Sequence, residues 1–260
     1  MIKKSVIIVG KDKRQTEISR ILASKGILTE NYSENTDIKE KTVIFPTLFT
    51  KDGVHITGCD FLIDNFSDCY MKITGNCGSY YKKSNENIFE YAKCDSYKTL
   101  NAVPTVEGTL SEIITKRNET IFDSKILIIG YGAIGKRLAD VLTALGSKIT
   151  VSARKSTDFA LLKSKSIDCI NTSMINKTLS NFDVIVNTVP ARIIESDTLY
   201  SLSEKVLIID LASYPFGFDY EKIGSAHPKI ELCSGLPGKY AYITAAKTAA
   251  EIIYDKIIEE

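Results

Sequence analysis

Apolar residues come in short bursts along this chain, and the spacing between them switches between strand and helix periods. Val6–Val9 is an unbroken apolar run that ends at Gly10, and beyond KDKRQ the residues Ile18, Ile21 and Leu22 recur at helical spacing across Thr16–Ser24. The pattern predicts a strand over Ser5–Gly10, a loop, and a helix that stops at Gly26 and Ile27. Short apolar segments follow at Thr42–Phe45 and Phe61–Ile63, each bounded by Gly, Pro, Asp or Asn. The region up to about residue 100 therefore reads as a small α/β layer, with KKSNEN at 82–87 as an exposed loop or a helix start.

The second half is sharper. Lys125–Ile129 is a strand run, GYGAIG follows at once, Lys136–Leu145 is helical until Gly146, and Ile149–Val151 is the next strand. Asp183–Val186 and Val206–Ile209 are short, β-branched and apolar throughout, as parallel strands buried on both faces are. This alternation predicts an α/β, doubly wound parallel sheet of Rossmann type. Pro104–Lys116 has a proline near its start and Leu110, Ile113 and Ile114 on one face, which suggests a helix bridging two domains. Beyond residue 239 the chain is alanine-rich and helical, suited to packing back on the first domain. The expected organisation is a smaller α/β domain over 1–103, joined by helix 240–260, and a dinucleotide domain over 104–239.

Composition narrows the function. The length of 260 residues fits one or two domains with a sizeable core, and 44% hydrophobic with 25% charged residues fits an ordinary folded chain. Lysine and arginine number 33 against 32 acids, so no global field draws nucleic acid or an anionic membrane. The apolar runs fall far short of the roughly 20 residues a membrane-spanning helix needs, and the lysine-flanked start is too short in apolar residues for a signal sequence. A cytoplasmic protein is expected. Six cysteines (Cys59, Cys69, Cys77, Cys94, Cys169, Cys233) form no CxxC pair, and only His55 and His227 offer imidazole, so no metal site or disulfide framework is suggested.

The candidate chemistry centres on Gly130-Tyr131-Gly132-Ala133-Ile134-Gly135, a GxGxxG between a strand and a helix. Gly130 suits the tight turn, Gly132 lets a pyrophosphate approach the backbone with Ala133 and Ile134 opening the helix, and Gly135 packs helix on strand. NAD enzymes place an acid about 20 residues beyond the glycines to hold the ribose hydroxyl. Here Ser152, Arg154, Lys155 and Ser156 stand after the second strand and no acid precedes Asp158, which favours NADP(H) over a plain solvated basic loop. Asn187–Pro190, Asp210–Ser213 and Gly235–Lys239 each follow an apolar run and open at the carboxyl edge of the sheet. Thr188, Pro190, Ala212 and Gly235 are there candidate cofactor contacts, with ordinary turn chemistry as the alternative. Arg14, between a strand and a helix N-terminus, is a candidate substrate-binding cation or a surface charge. Lys239 is a candidate for binding a substrate carboxylate or moving a proton, or an exposed lysine; with the domain limits above it comes from the other domain than Arg14. Glu107, near the start of the bridging helix, is a candidate acid or base, or a helix-dipole residue. His55 has no visible partner.

These motifs resemble the A subunit family of dipicolinate synthase, the enzyme of spore-forming bacteria that makes pyridine-2,6-dicarboxylate. The resemblance rests on GKDKRQTEI, NAVPTVEGT, GYGAIG, SARKS, VNTVPA, IIDLAS and GLPGK, in the family's order from end to end. In YAYITAA, Tyr242 and Ile243 stand where the family has proline and lysine before the threonine. The resemblance implies NADP-linked oxidation of a dihydrodipicolinate from the lysine pathway to dipicolinate, in partnership with a flavoprotein-like B subunit, in the mother-cell cytoplasm. It implies a small dicarboxylate substrate, leaves homo-oligomers open, and singles out no residue as the base. Two other readings suit the same architecture: a shikimate-dehydrogenase-like or other NADP-linked reductase, and a non-catalytic nucleotide-binding assembly subunit.

Overall fold

A computed structural model of the chain describes residues 4–79, 81, 87–223 and 228–260; most of the loop expected at 82–87, and His227, lie outside them. Contacts divide the chain into two compact units, 1–101 with 237–260, and 102–236. Among the described residues the strands form two sheets, both parallel throughout.

In the first unit, β1 (Ser5–Ile8) leads to α1 (Lys13–Ser24), and β2 (Leu28–Asn31), β3 (Thr42–Ile44), β4 (Met71–Thr74) and β5 (Ile88–Glu90) complete a sheet in the order β2-β1-β3-β4-β5. The apolar segment at Phe61–Ile63 is no strand: Ile63–Phe66 turns as a 3₁₀ helix and buries Ile63 and Phe66. Next comes α2 (Asp95–Lys116), which starts well before Pro104. Its early turns hold because Tyr97 is buried, Lys98 pairs with Asp95 at 2.9 Å, and the Thr99 hydroxyl bonds the Asp95 carbonyl. Pro104 thus sits inside the helix, not at its first turn.

The second unit runs β6 (Lys125–Ile129), α3 (Ala133–Ala144), β7 (Lys148–Ala153), α4 (Ser156–Ser164), β8 (Asp168–Asn171), β9 (Val184–Asn187), α5 (Ser196–Tyr200), β10 (Leu207–Asp210), α6 (Tyr220–Ile223) and β11 (Lys229–Leu232). The sheet order β11-β10-β9-β6-β7-β8 reverses direction between β6 and β9, the doubly wound order of two mononucleotide-binding halves. Central strands are apolar on both faces, and separate clusters around Ile128 and Ile129 cover those faces.

The chain then returns to the first unit through α7 (Leu236–Tyr240) and α8 (Tyr242–Glu259). Ala245, Ala246, Ala249 and Ala250 on α8 are fully buried, and the last three pack with Ile18 and Leu22 of α1 over one face of the sheet. Lys25 bonds Glu251 at 2.6 Å, and the Lys4 ammonium bonds the Ile257 carbonyl at 2.6 Å. No helix among the described residues is long and apolar enough to cross a membrane.

Candidate functional site

The glycine loop shows why each glycine stands where it does. Gly130 leaves β6 with φ at 98°, and its N–H donates to the Ser152 carbonyl at 3.0 Å. A Cβ there would lie 2.6 Å from Thr188 Oγ1 and 2.7 Å from Val189 Cγ2. At Gly135 a Cβ would lie 2.1 Å from the Gly130 carbonyl oxygen, so helix and turn are packed backbone to backbone. Gly132 is different: a Cβ would meet nothing within 4 Å. It is the exposed N-cap of α3, provides no side-chain cap, and is followed by a first turn without acids. The N–H groups that open α3, at Ala133, Ile134 and Gly135, have no intrahelical acceptor and carry the positive end of the helix dipole. Open space at Gly132 over such a helix end fits a pyrophosphate.

At the end of β7 the picture departs from expectation for one residue. Ser152 is fully buried and its hydroxyl lies 2.9 Å from Thr172 Oγ1, so it turns inward rather than toward a ligand; its carbonyl instead anchors Gly130. Arg154 and Lys155 are exposed and make no ion pair among the described residues; Lys155 is the N-cap of α4. Two cations at a helix N-terminus together fit a phosphate, with Asp158 in the first turn of α4 as the acid that follows them.

The loops after β9 and β10 are tied together by side chains that the sequence did not single out for this role. Asn187 and Asp210 end these strands and are fully buried. Asn187 Nδ2 donates to Asp210 Oδ1 at 2.8 Å and to the Val189 carbonyl at 3.0 Å, while Val189 N–H donates to Asn187 Oδ1 at 3.1 Å. Asp210 also accepts from Ala212 N–H, Gly217 N–H and the Tyr220 hydroxyl at 3.1, 2.9 and 3.1 Å. Burial and the neighbouring Asp210 carboxylate push the Tyr220 phenol well up, so it donates as the neutral form. Thr188 sits beside the glycine loop with its hydroxyl on the Ile129 carbonyl at 2.8 Å. Pro190 is exposed, Ala212 is buried, and Gly235 has φ at 72° with open space where a Cβ would be. The structure thus brings the predicted cofactor residues to the carboxyl edge of one sheet.

The remaining candidates lie elsewhere. In the first unit, Asp12 caps α1 by accepting the N–H groups of Arg14 and Gln15 at 2.8 and 3.0 Å, so the chain's own carboxylate already serves the helix end expected to hold an anion. Arg14 itself is half-buried and makes no ion pair among the described residues. Burial pushes the Tyr91 and Tyr97 phenols up, and the Arg14 charge offsets part of that rise. An Arg14 guanidinium nitrogen lies 3.5 Å from the Cβ position of Gly238. Lys239 follows in α7, over the Tyr240 ring at 4.8 Å, and belongs to the same unit as Arg14 rather than to the dinucleotide unit. The reason is that α7 leads directly into α8, whose alanine face packs on α1. Where the family's proline and lysine are replaced, Lys13 lies 5.7 Å from the Tyr242 ring centroid. Glu107 is exposed deep inside α2, so stabilisation of a helix start does not explain it. His55 does have a partner: its Nδ1 lies 2.8 Å from Asp52 Oδ2.

The fold and the glycine loop together are those of a Rossmann-type α/β protein, and the comparisons with dehydrogenases support the oxidoreductase class. The family model for the D-isomer specific 2-hydroxyacid dehydrogenase NAD binding domain matches residues 106–213, which supports a nicotinamide cofactor. The particular family that the chain resembles, in sequence and in fold, is the A subunit of dipicolinate synthase. That protein from Bacillus subtilis (strain 168) is 31% identical over 192 residues, 74% of this chain and 61% of the relative, so the match spans about three fifths of the relative's length. The crystal structure of its counterpart from Bacillus halodurans has a TM-score of 0.88 at 25% identity, covering 100% of both chains. The Bacillus subtilis crystal structure gives 0.84 at 24% identity, over 100% of this chain and 97% of that one, a likeness of fold.

Proposed function

We propose that the chain is the A subunit of a dipicolinate synthase and oxidises a dihydrodipicolinate to dipicolinate with NADP, beside a flavoprotein-like B subunit, in the mother-cell cytoplasm during spore formation. The observation that carries this reading is the end-to-end likeness, at 25% identity, to the dipicolinate synthase chain of Bacillus halodurans. Aromatisation removes one hydride and one proton from the ring, so dihydrodipicolinate and NADP⁺ become dipicolinate, NADPH and H⁺. The nicotinamide supplies the hydride acceptor. The chain's own residues do the rest: the N–H groups opening α3 hold the pyrophosphate, and Arg154 and Lys155 hold the 2′-phosphate. Thr188, Pro190, Ala212 and Gly235 border the nicotinamide half. The forked Arg14 guanidinium binds one substrate carboxylate, Lys239 binds the other or moves the proton, and Glu107 is the carboxylate candidate for that proton.

The test uses purified protein, alone and with a B subunit, given enzymatically generated dihydrodipicolinate and NADP. Dipicolinate and NADPH should appear in equal amounts in at least one mixture; neither product in either mixture overturns the reading. NADPH should also bind more tightly than NADH, and Arg154→Ala should weaken NADPH alone by about tenfold or more, since a hydrogen bond to a charged group contributes roughly 1.5–3 kcal/mol. Equal titration curves for the two cofactors in the unmutated protein would end the NADP assignment.

A further inference from the structure

We infer that Asp210 and Asn187 are positioning residues that shape the nicotinamide half of the cofactor site and leave the adenosine half untouched. The inference rests on the dinucleotide reading and deepens it. In a doubly wound sheet each mononucleotide half of the ligand lies over its own half of the strands. The first half, β6 to β8, carries the glycine loop and Arg154; the second, β9 to β11, carries the loops that Asn187 and Asp210 hold.

The geometry concentrates on one buried carboxylate. Asp210 Oδ1 takes Asn187 Nδ2 and Ala212 N–H, and Asp210 Oδ2 takes Gly217 N–H and the Tyr220 hydroxyl, all between 2.8 and 3.1 Å. Each oxygen is satisfied twice, yet Asp210 makes no ion pair among the described residues. Hydrogen bonds from two loop N–H groups, the Asn187 amide and the Tyr220 hydroxyl compensate the burial of a carboxylate that is otherwise costly. Asn187 completes the link by bonding both backbone groups of Val189. Gly217 is pressed on the pair so closely that a Cβ would lie 2.1 Å from Asn187 Nδ2. One carboxylate therefore sets the paths of residues 188–190 and 211–217 relative to each other.

Three variants perturb the network in different ways. Asp210→Asn replaces one acceptor by an amide donor, and either orientation of that amide opposes two donors. Gly217→Ala pushes on Asn187, and Tyr220→Phe removes a single donor. The probes are NADPH, by its fluorescence, and 2′,5′-ADP, the adenosine half with its 2′-phosphate, by calorimetry. NADPH affinity should fall about tenfold in Asp210→Asn and Gly217→Ala and by less in Tyr220→Phe, the loss of one oriented contact or more. Binding of 2′,5′-ADP should stay at the wild-type level. A merely structural role would instead weaken both probes in step with the melting temperature, and that outcome overturns the inference. So does unchanged NADPH binding in all three variants. If Asp210→Asn fails to fold, the split between probes in Gly217→Ala and Tyr220→Phe decides. If the unmutated protein binds neither probe, NADH and 5′-AMP take their place; failure of these as well would overturn the dinucleotide reading itself, and the inference with it.

Discussion

Three glycines in one hexapeptide face different constraints, and substitution should separate them. Gly135 has the Gly130 carbonyl oxygen 2.1 Å from where a Cβ would be, so Gly135→Ala must displace backbone. Overpacking of this kind costs about 1–3 kcal/mol, and at roughly 2–4 °C per kcal/mol the melting temperature should drop measurably. Gly132 has open space at the same distance, so Gly132→Val should leave the melting temperature of the free protein near wild type. The valine would occupy the room over the α3 N-terminus, and NADPH fluorescence titration should then show little or no binding. A Gly132→Val protein that is folded by circular dichroism and binds dinucleotide normally would sink the assignment of the loop. At this scale the sequence was informative about position but not about direction. The motif located Ser152 correctly at the end of a strand, yet only the fold shows its hydroxyl committed to Thr172. Likewise, Asn187 and Asp210 lie 23 residues apart in sequence, and no local pattern reveals that their side chains meet.

Among the elements, α8 shows how a segment remote in sequence becomes part of the first unit. Its alanines lie against α1, and Ile253 is fully buried in the same cluster as Ile8, Ile18 and Ile73. Ile253→Ala should cost about 2–5 kcal/mol, read as an earlier transition in urea. NADPH affinity, which depends on loops of the other unit, should not change; a parallel loss of affinity would show that the helix supports the cofactor site as well. The strands that were legible in sequence are the ones built on short apolar, β-branched runs, β1, β3, β6, β7, β9 and β10. Those that were not carry polar residues for identifiable reasons. Edge strand β2 reads LTEN because it is largely exposed. β4 lies between β3 and β5, but its buried Lys72 interrupts what would otherwise be an apolar run. The proline rule misplaced the start of α2 because Tyr97, buried against Tyr91, anchors the turns before Pro104.

For the whole molecule, the division of labour follows from which unit holds which charge. Arg14 and Lys239, which sequence spacing assigned to different domains, fall in the unit 1–101 with 237–260, whereas Arg154 and the glycine loop belong to 102–236. A planar pyridine dicarboxylate should accordingly depend on Arg14, and the dinucleotide should not. Dipicolinate is expected to raise the melting temperature of the NADP-bound protein: ligand at about 100 times its Kd adds roughly 2.7 kcal/mol. Arg14→Ala should abolish that increment while the shift caused by NADPH alone persists, because every cofactor contact proposed above comes from the other unit. Loss of both shifts would mean that Arg14 supports the fold rather than the substrate. If dipicolinate and its dihydro precursor leave the unmutated protein's melting temperature unchanged while shikimate raises it, the substrate is a hydroxylated carbocycle, and the chain acts as a shikimate-type reductase on a dipicolinate synthase fold.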